Sequence, residues 1–312
     1  MLNVVNPHFP DATPSGGKSS FAVADFVKTH FSKDNILLYF TDTLIEDPDL
    51  YRFIHEASDK LELPLLTHSR GITPAQLMVK QRFMANSRVG TCSKELKMKV
   101  SADYLKKGIV PEIEKWHNKH FLKQDDFISE ATLYFGISFE ELHREEPIRK
   151  NWGKHFEVSM PLVDHIIDND EVLKKYSIRQ PDMYFRQFHH NNCAGMCVKA
   201  GKAHFQNLLR KDEETYFKFM EQEIVISDYI RYTRQCKGKD YMFDDVWEFV
   251  TTGKKSAKIQ HIIDTNKYRK NFNFGGRNKQ YTFMKNLSLE ELENQPAQTD
   301  IFDWGGCGCF LS

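Results

Sequence analysis

Residues Asn35 to Thr43 read NILLYFTDT, an unbroken apolar run that ends in polar residues. A strand covered on one face alternates apolar with polar side chains. An unbroken run needs cover on both faces, which is the condition inside a parallel sheet. LPLLTHS, Leu63 to Ser69, is a second short run of this kind, and ISEATLYFGIS, Ile128 to Ser138, a third strand candidate. Helical spacing lies between them. Phe21, Ala22, Ala24, Phe26 and Val27 place a helix over 19–31, and EDPDLYRFIHEASDKL from Glu46 reads as a helix with acidic residues in its first turn. A further helix is predicted around Ser101 to Lys119, interrupted near Gly108 and Pro111. Strands alternating with helices predict an α/β fold with a mainly parallel sheet.

From about Asp168 the pattern changes to long polar–apolar helices, as in HFQNLLRKDEETYFKFMEQEIVISDYI, His204 to Ile230. The expected division is therefore an α/β domain over 1–167 and a mostly helical region with a cysteine-rich tail over 168–312. The 40 % apolar content allows a real core. Lys+Arg and Asp+Glu both number 43, so no global field points to nucleic acid or membrane. No apolar run approaches the ~20 residues of a membrane span. The start, MLNVVNPHFPD, lacks a basic segment followed by an apolar one, so no secretory signal is expected. These features predict a soluble, cytoplasmic protein with no membrane partner, whose six cysteines are thiols or metal ligands rather than disulfides.

The stretch PSGGKSSF, Pro14 to Phe21, sets two glycines before a helix. Glycine lets backbone N–H groups approach a phosphate closely, and a following helix N-terminus adds partial positive charge. Ser15, Lys18 and Ser20 add side-chain donors. The spacing is not that of a Walker loop. A Gly-Gly turn before a helix is also an ordinary structural event.

SGGKSS resembles the pyrophosphate-binding loop, Ser-Gly-Gly-x-Asp-Ser/Thr, of the adenine-nucleotide alpha-hydrolase (PP-loop) superfamily. FTDTLIEDPDLYRFI, TCSKELK, GISFEELHR and MPL look like successive blocks of its phosphoadenosine-phosphosulfate (PAPS) reductase-like branch. HHNNCAGMCVKAGKAHF and the ending DWGGCGCF are similar to a subgroup common in phages and bacteria. The blocks run in order over nearly the whole chain. Ser19 stands where many relatives carry Asp. The strand leading into the loop is expected from LNVV, Leu2 to Val5, but the prolines of NPHFPDATP argue against a central strand there.

The resemblance implies a Rossmann-like (HUP-type) domain that binds ATP or a sulfonucleotide with Mg²⁺. Phosphates would lie on Ser15, Gly16, Gly17, Lys18, Ser19 and Ser20. Asp42 would face the same crevice as a Mg²⁺ or ribose contact, or act as a turn aspartate; Lys97 and Arg144 would meet phosphate or sulfate. Lys18, Asp42 and Cys92 are the catalytic candidates, with Cys92 a cluster ligand or the thiol that carries sulfur. His143 reads as polar lining or a structural histidine, and His189 and His190 as spare ligands for the cysteines or polar residues before a helix.

Cys193 and Cys197 are four residues apart, and a helix over VKAGKAHFQNLL would put both thiols on one face at its start. With Cys307 and Cys309 they make a possible four-sulfur site for Zn²⁺ or a 4Fe–4S cluster, or else they are unconnected thiols; Cys236 is read as incidental. The assimilatory reductases' Glu-Cys-Gly-Leu/Ile-His ending is absent. The expected function is ATP-dependent activation of a substrate, by cleavage between the α and β phosphates, for sulfur transfer to an acceptor such as a nucleic acid. The rivals are a sulfonucleotide reductase with a thioredoxin-like partner and a zinc-stapled binding subunit without turnover. Tyr268 to Lys279 interleaves aromatic and basic residues, as a single-strand binder would, or forms a solvated loop.

Overall fold

The structure is a computed structural model that describes residues 2–8, 17–31, 34–235, 242–266, 281–284 and 287–296. Its elements follow in chain order as β1 (Leu2–His8), α1 (Lys18–His30), β2 (Ile36–Thr41), α2 (Pro48–Leu61), β3 (Leu65–Ser69), α3 (Pro74–Gln81) and α4 (Lys99–Lys107). Then come β4 (Ile113–His117), β5 (Ala131–Tyr134), α5 (Glu145–Trp152), β6 (Glu157–Ser159), α6 (Pro161–Asp164), α7 (Asn169–Tyr176) and α8 (Asp182–Phe185). The rest is helical: α9 (Lys202–Lys211), α10 (Glu213–Gln235), α11 (Phe243–Thr252), α12 (Ala257–Asn266) and α13 (Leu289–Glu293). No helix among the described residues is long and apolar enough to cross a membrane.

Two compact units interleave along the chain. One holds the described residues up to Gly71 together with Ser93–Gly195; the other holds Ile72–Cys92 and the described residues from Met196 to 296. Neither coincides with 1–167 or 168–312, because α7 packs on α1 and so keeps 168–195 with the sheet. Lys175 donates to Asp25 at 2.8 Å across that contact.

The fold of the first unit is α/β. Its sheet has the order β4-β3-β2-β1-β5-β6, parallel throughout except for the antiparallel β3–β4 pair. In β2 the side chains of Ile36, Leu38 and Phe40 join a core with α1 and α2, while Leu37 and Tyr39 join a second core with Tyr104, Leu133 and Trp152. The period of two thus feeds both faces, which is why the strand reads as unbroken apolar sequence. α2 starts where Asp47 accepts from the Asp49 N–H at 2.9 Å, with Pro48 as first helical residue.

Two expectations change. β1 is a central strand that runs through Pro7. It pairs with β5 only from Leu2 to Val5, and its register against β2 slips between Val5 and His8. The proline therefore lies where the ladder is already broken, and its missing N–H costs no regular bond. The helix predicted to Lys119 stops at Gly108, which takes φ 66 as its cap, and the chain returns as β4.

In the second unit α10 is flanked by α3, α9, α11, α12 and α13. α3 also packs on α11, where Gln76 Nε2 donates to Thr251 Oγ1 at 2.7 Å. Side chains of α9 and α10 hold the returning chain by its backbone. Ser227 accepts from the Tyr281 N–H, Glu223 from those of Phe283 and Leu289, and Tyr216 and Gln206 donate to the carbonyls of Leu289 and Pro296.

Candidate functional site

Open parallel sheets offer a crevice at the carboxyl ends of their strands where the order reverses. Here the reversal falls at β1, between β2 and β5. Beyond β1, α1 begins after Gly17, whose φ of 112 a side chain rarely adopts, and whose carbonyl accepts the Phe21 N–H at 2.9 Å. Beyond β5, the backbone at Gly136 lies against the first turn of α1. A Cβ there would stand 2.9 Å from Ser20 N and 3.0 Å from the Ser19 carbonyl carbon. Glycine is thus required at 136 by close approach of backbone to backbone.

Ser19 and Ser20 are buried. Asn169 donates to Ser19 Oγ at 3.1 Å, and the carbonyl oxygen of the same amide is buried without a hydrogen-bond partner. Lys18 lies 2.9 Å from Asp170 and above the ring of Tyr184. Ser15 and Gly16 lie outside the described residues.

A second cluster forms beyond β2. Asp42 is buried, and its Oδ1 accepts from the Leu44 N–H and the Tyr51 hydroxyl, both at 2.7 Å. Burial pushes its carboxyl above the ordinary aspartate range, against the pull of these two bonds. Glu46 was not foreseen; the sequence places it in a helix, yet α2 begins two residues later. Its carboxylate is buried and takes Lys97 at 3.2 Å, the Thr43 hydroxyl at 2.8 Å and the backbone N–H of Cys193. Lys97 belongs to a π-helical turn, Ser93–Met98, a geometry frequent at functional sites. The structure therefore gathers Asp42, Lys97 and the Cys193 backbone around Glu46.

Arg144 is held elsewhere. It is buried in an ion pair with Glu141 at 2.7 Å, within a 3₁₀ turn capped by Ser138. Its charge is thus already matched. The helix expected at 198–209 begins only at Lys202, so neither Cys193 nor Cys197 lies in its first turn, and the shared-face reasoning fails. Cys193 and Ala194 instead have left-handed backbones, φ 55 and 46. Cys92, half-buried, and Cys197, buried, belong to the second unit. Cys307, Cys309, Cys236 and the 268–279 stretch lie outside the described residues. Among the described residues no group of three or more His, Cys, Asp or Glu could hold a metal ion.

One buried group escaped the sequence entirely. His68 on β3 is fully buried, with the Tyr39 hydroxyl 3.0 Å from Nδ1 and Glu114 of β4 2.9 Å from Nε2. Burial lowers its pKa, against the pull of Glu114. Because Tyr39 is also enclosed, the group fastens the antiparallel β3–β4 edge rather than facing a substrate. Compared with known proteins, the chain matches no family model, no curated protein and no solved structure.

Proposed function

We propose that the chain is a PAPS reductase-like enzyme that holds the phosphates of an adenine nucleotide at the amino end of α1. The observation that carries this reading is the start of α1 itself. A left-handed glycine opens a helix at the carboxyl end of the strand where sheet order reverses, with Gly136 keeping side chains away from its first turn. The order of the five parallel strands, β3-β2-β1-β5-β6, supports reading the sheet as Rossmann-like and HUP-type. The unpartnered Asn169 oxygen beside Ser19 offers an acceptor where relatives carry Asp.

In this reading Lys18 leaves Asp170 for phosphate, and Asp42, kept from solvent, orients Mg²⁺ or the ribose. Mg²⁺, when bound, would neutralise charge on the phosphates. ATP is cleaved between the α and β phosphates, an oxygen of the acceptor takes AMP, pyrophosphate leaves, and a sulfur nucleophile then displaces AMP. Cys92 is the proposed sulfur-bearing thiol. The cysteines, as thiolates, suit zinc or a 4Fe–4S cluster. Metal content should fall in Cys193→Ser and Cys309→Ser and persist in Cys236→Ser; full metal in either of the first two refutes the grouping.

The test is titration calorimetry with ATP, followed by ATP–pyrophosphate exchange. Binding at least tenfold weaker in Gly136→Ala, whose new methyl group presses on the backbone of α1, supports the phosphate site. Equal binding by that variant overturns it. Binding without exchange turns the reading to sulfonucleotide reduction or to a subunit without turnover. Sulfite release from PAPS separates those two.

A further inference from the structure

The segment 186–193 is fastened to the loop after β2 at two points: Arg186 pairs with Asp47, and the Cys193 N–H donates to Glu46. Between them lie Asn191 and Asn192, both buried. Neither amide atom of Asn191 has a hydrogen-bond partner, and the carbonyl oxygen of Asn192 has none either. Buried polar atoms are satisfied in the great majority of cases, and each exception calls for a cause. A buried amide without partners carries an uncompensated desolvation cost.

The three unpaired positions are two acceptors and one donor. A carboxamide offers its oxygen and its nitrogen side by side, so its complement is an edge with an N–H donor next to an acceptor. Adenine has that edge, an exocyclic amine beside N7, and Asn meets it with two bonds. The second oxygen, on Asn192, suits the remaining hydrogen of the amine. Guanine shows two acceptors, O6 and N7, on the same edge and satisfies only half of the carboxamide. A phosphate is a poor occupant: Asp42, Glu46 and Asp47 stand in the adjoining loop, and Lys97 and Arg186 are already paired with two of them.

We infer that Asn191, with Asn192, reads the base of a bound nucleotide and selects adenine. The inference rests on the nucleotide-binding reading above and adds the residues that would set base preference. The loop after β2 adjoins β1 in the sheet, so base and phosphate would occupy the ends of neighbouring strands. To admit a base, the 187–195 segment must move. It lies outside any sheet ladder, ends in a 3₁₀ turn at Cys193–Gly195, and its backbone takes positive φ at Gln187, Cys193, Ala194 and Gly195.

The experiment is titration calorimetry of the intact chain with ATP, GTP, purine riboside triphosphate (which lacks the 6-amino group) and inorganic tripolyphosphate. The unaltered protein should bind ATP at least tenfold more tightly than GTP or the purine analogue. Asn191→Leu should bring ATP down to the level of GTP and leave tripolyphosphate unchanged. Equal binding of ATP and the purine analogue by the unaltered protein overturns the inference without recourse to a variant. So does an Asn191→Leu protein that keeps its ATP preference and melts at a higher temperature, the sign of a merely orphaned amide. Absence of both ATP and tripolyphosphate binding would instead remove the phosphate site, and this inference with it.

Discussion

Glu46 in the first unit and Glu223 in the second are both withdrawn from water, and the chain treats them differently. Glu46 is given a cation, Lys97, and it also ties the Cys193 backbone to the loop after β2. Glu223, in mid-helix, receives the N–H groups of Phe283 at 2.7 Å and Leu289 at 2.8 Å. Burial drives its carboxyl up to about 8, although these two bonds pull the other way. The first arrangement sets a carboxyl group against an ammonium group in the loop after β2. The second uses an acid as a clasp for returning chain and lets it stay protonated near neutrality. A buried carboxylate is thus not by itself a mark of chemistry; its partners decide.

The largest effect should come from separating the pair in the first unit. Lys97→Met leaves Glu46 without its ammonium partner and should cost about 3–5 kcal/mol in denaturant unfolding. Adding Glu46→Gln, which keeps an acceptor for the Cys193 N–H, should restore most of that loss. A double variant no more stable than the single would break the comparison, since Glu46 would then matter for shape alone.

Next in size is the clasp. Glu223→Ala strands two buried N–H groups and should cost about 2–4 kcal/mol. The pH dependence sharpens the contrast. A carboxyl raised from 4.5 to about 8 binds its proton more tightly folded than unfolded, so its contribution is fully present below pH 4.5 and is lost as pH rises through 8. Thermal unfolding of the second unit should therefore shift downward over that range, and Glu223→Gln should flatten the slope. An unchanged slope in that variant would assign the titration to another group.

The smallest effect concerns Lys18. Asp170 is mostly exposed, so Asp170→Asn should change stability by only about 0–1 kcal/mol. Releasing Lys18 should nevertheless tighten tripolyphosphate binding two- to fivefold, read by calorimetry. Weaker binding would mean that Asp170 positions Lys18 instead of competing for it.

How much of this was legible follows the same division between local pattern and burial. β2, β3 and β5 announced themselves because both faces are covered. β4 did not. It is an edge strand with exposed Glu114 and Lys115, so IEKWH carries no apolar run and reads as the tail of a helix. β1 was obscured by Pro7, which only the register slip accommodates. At the site, Gly17, Lys18 and Asp42 were marked by motif. Glu46, Asn169 and Asn191 were not, because their interest lies in being enclosed, and enclosure is a property of the folded chain.

The interleaving of the units has a consequence in time. α3 belongs with α10 and α11, yet the first unit's segment Ser93–Gly195 is translated between them. At roughly 5–20 residues per second, the ribosome takes on the order of 5–20 s to make that stretch. During that wait the buried residues of α3, among them Leu77, Met78 and Val79, lack the α10 and α11 that pack on this helix. A newborn chain must therefore shelter α3 or leave it unfolded while the first unit is completed, and a chaperone that grips short apolar segments would find its target there.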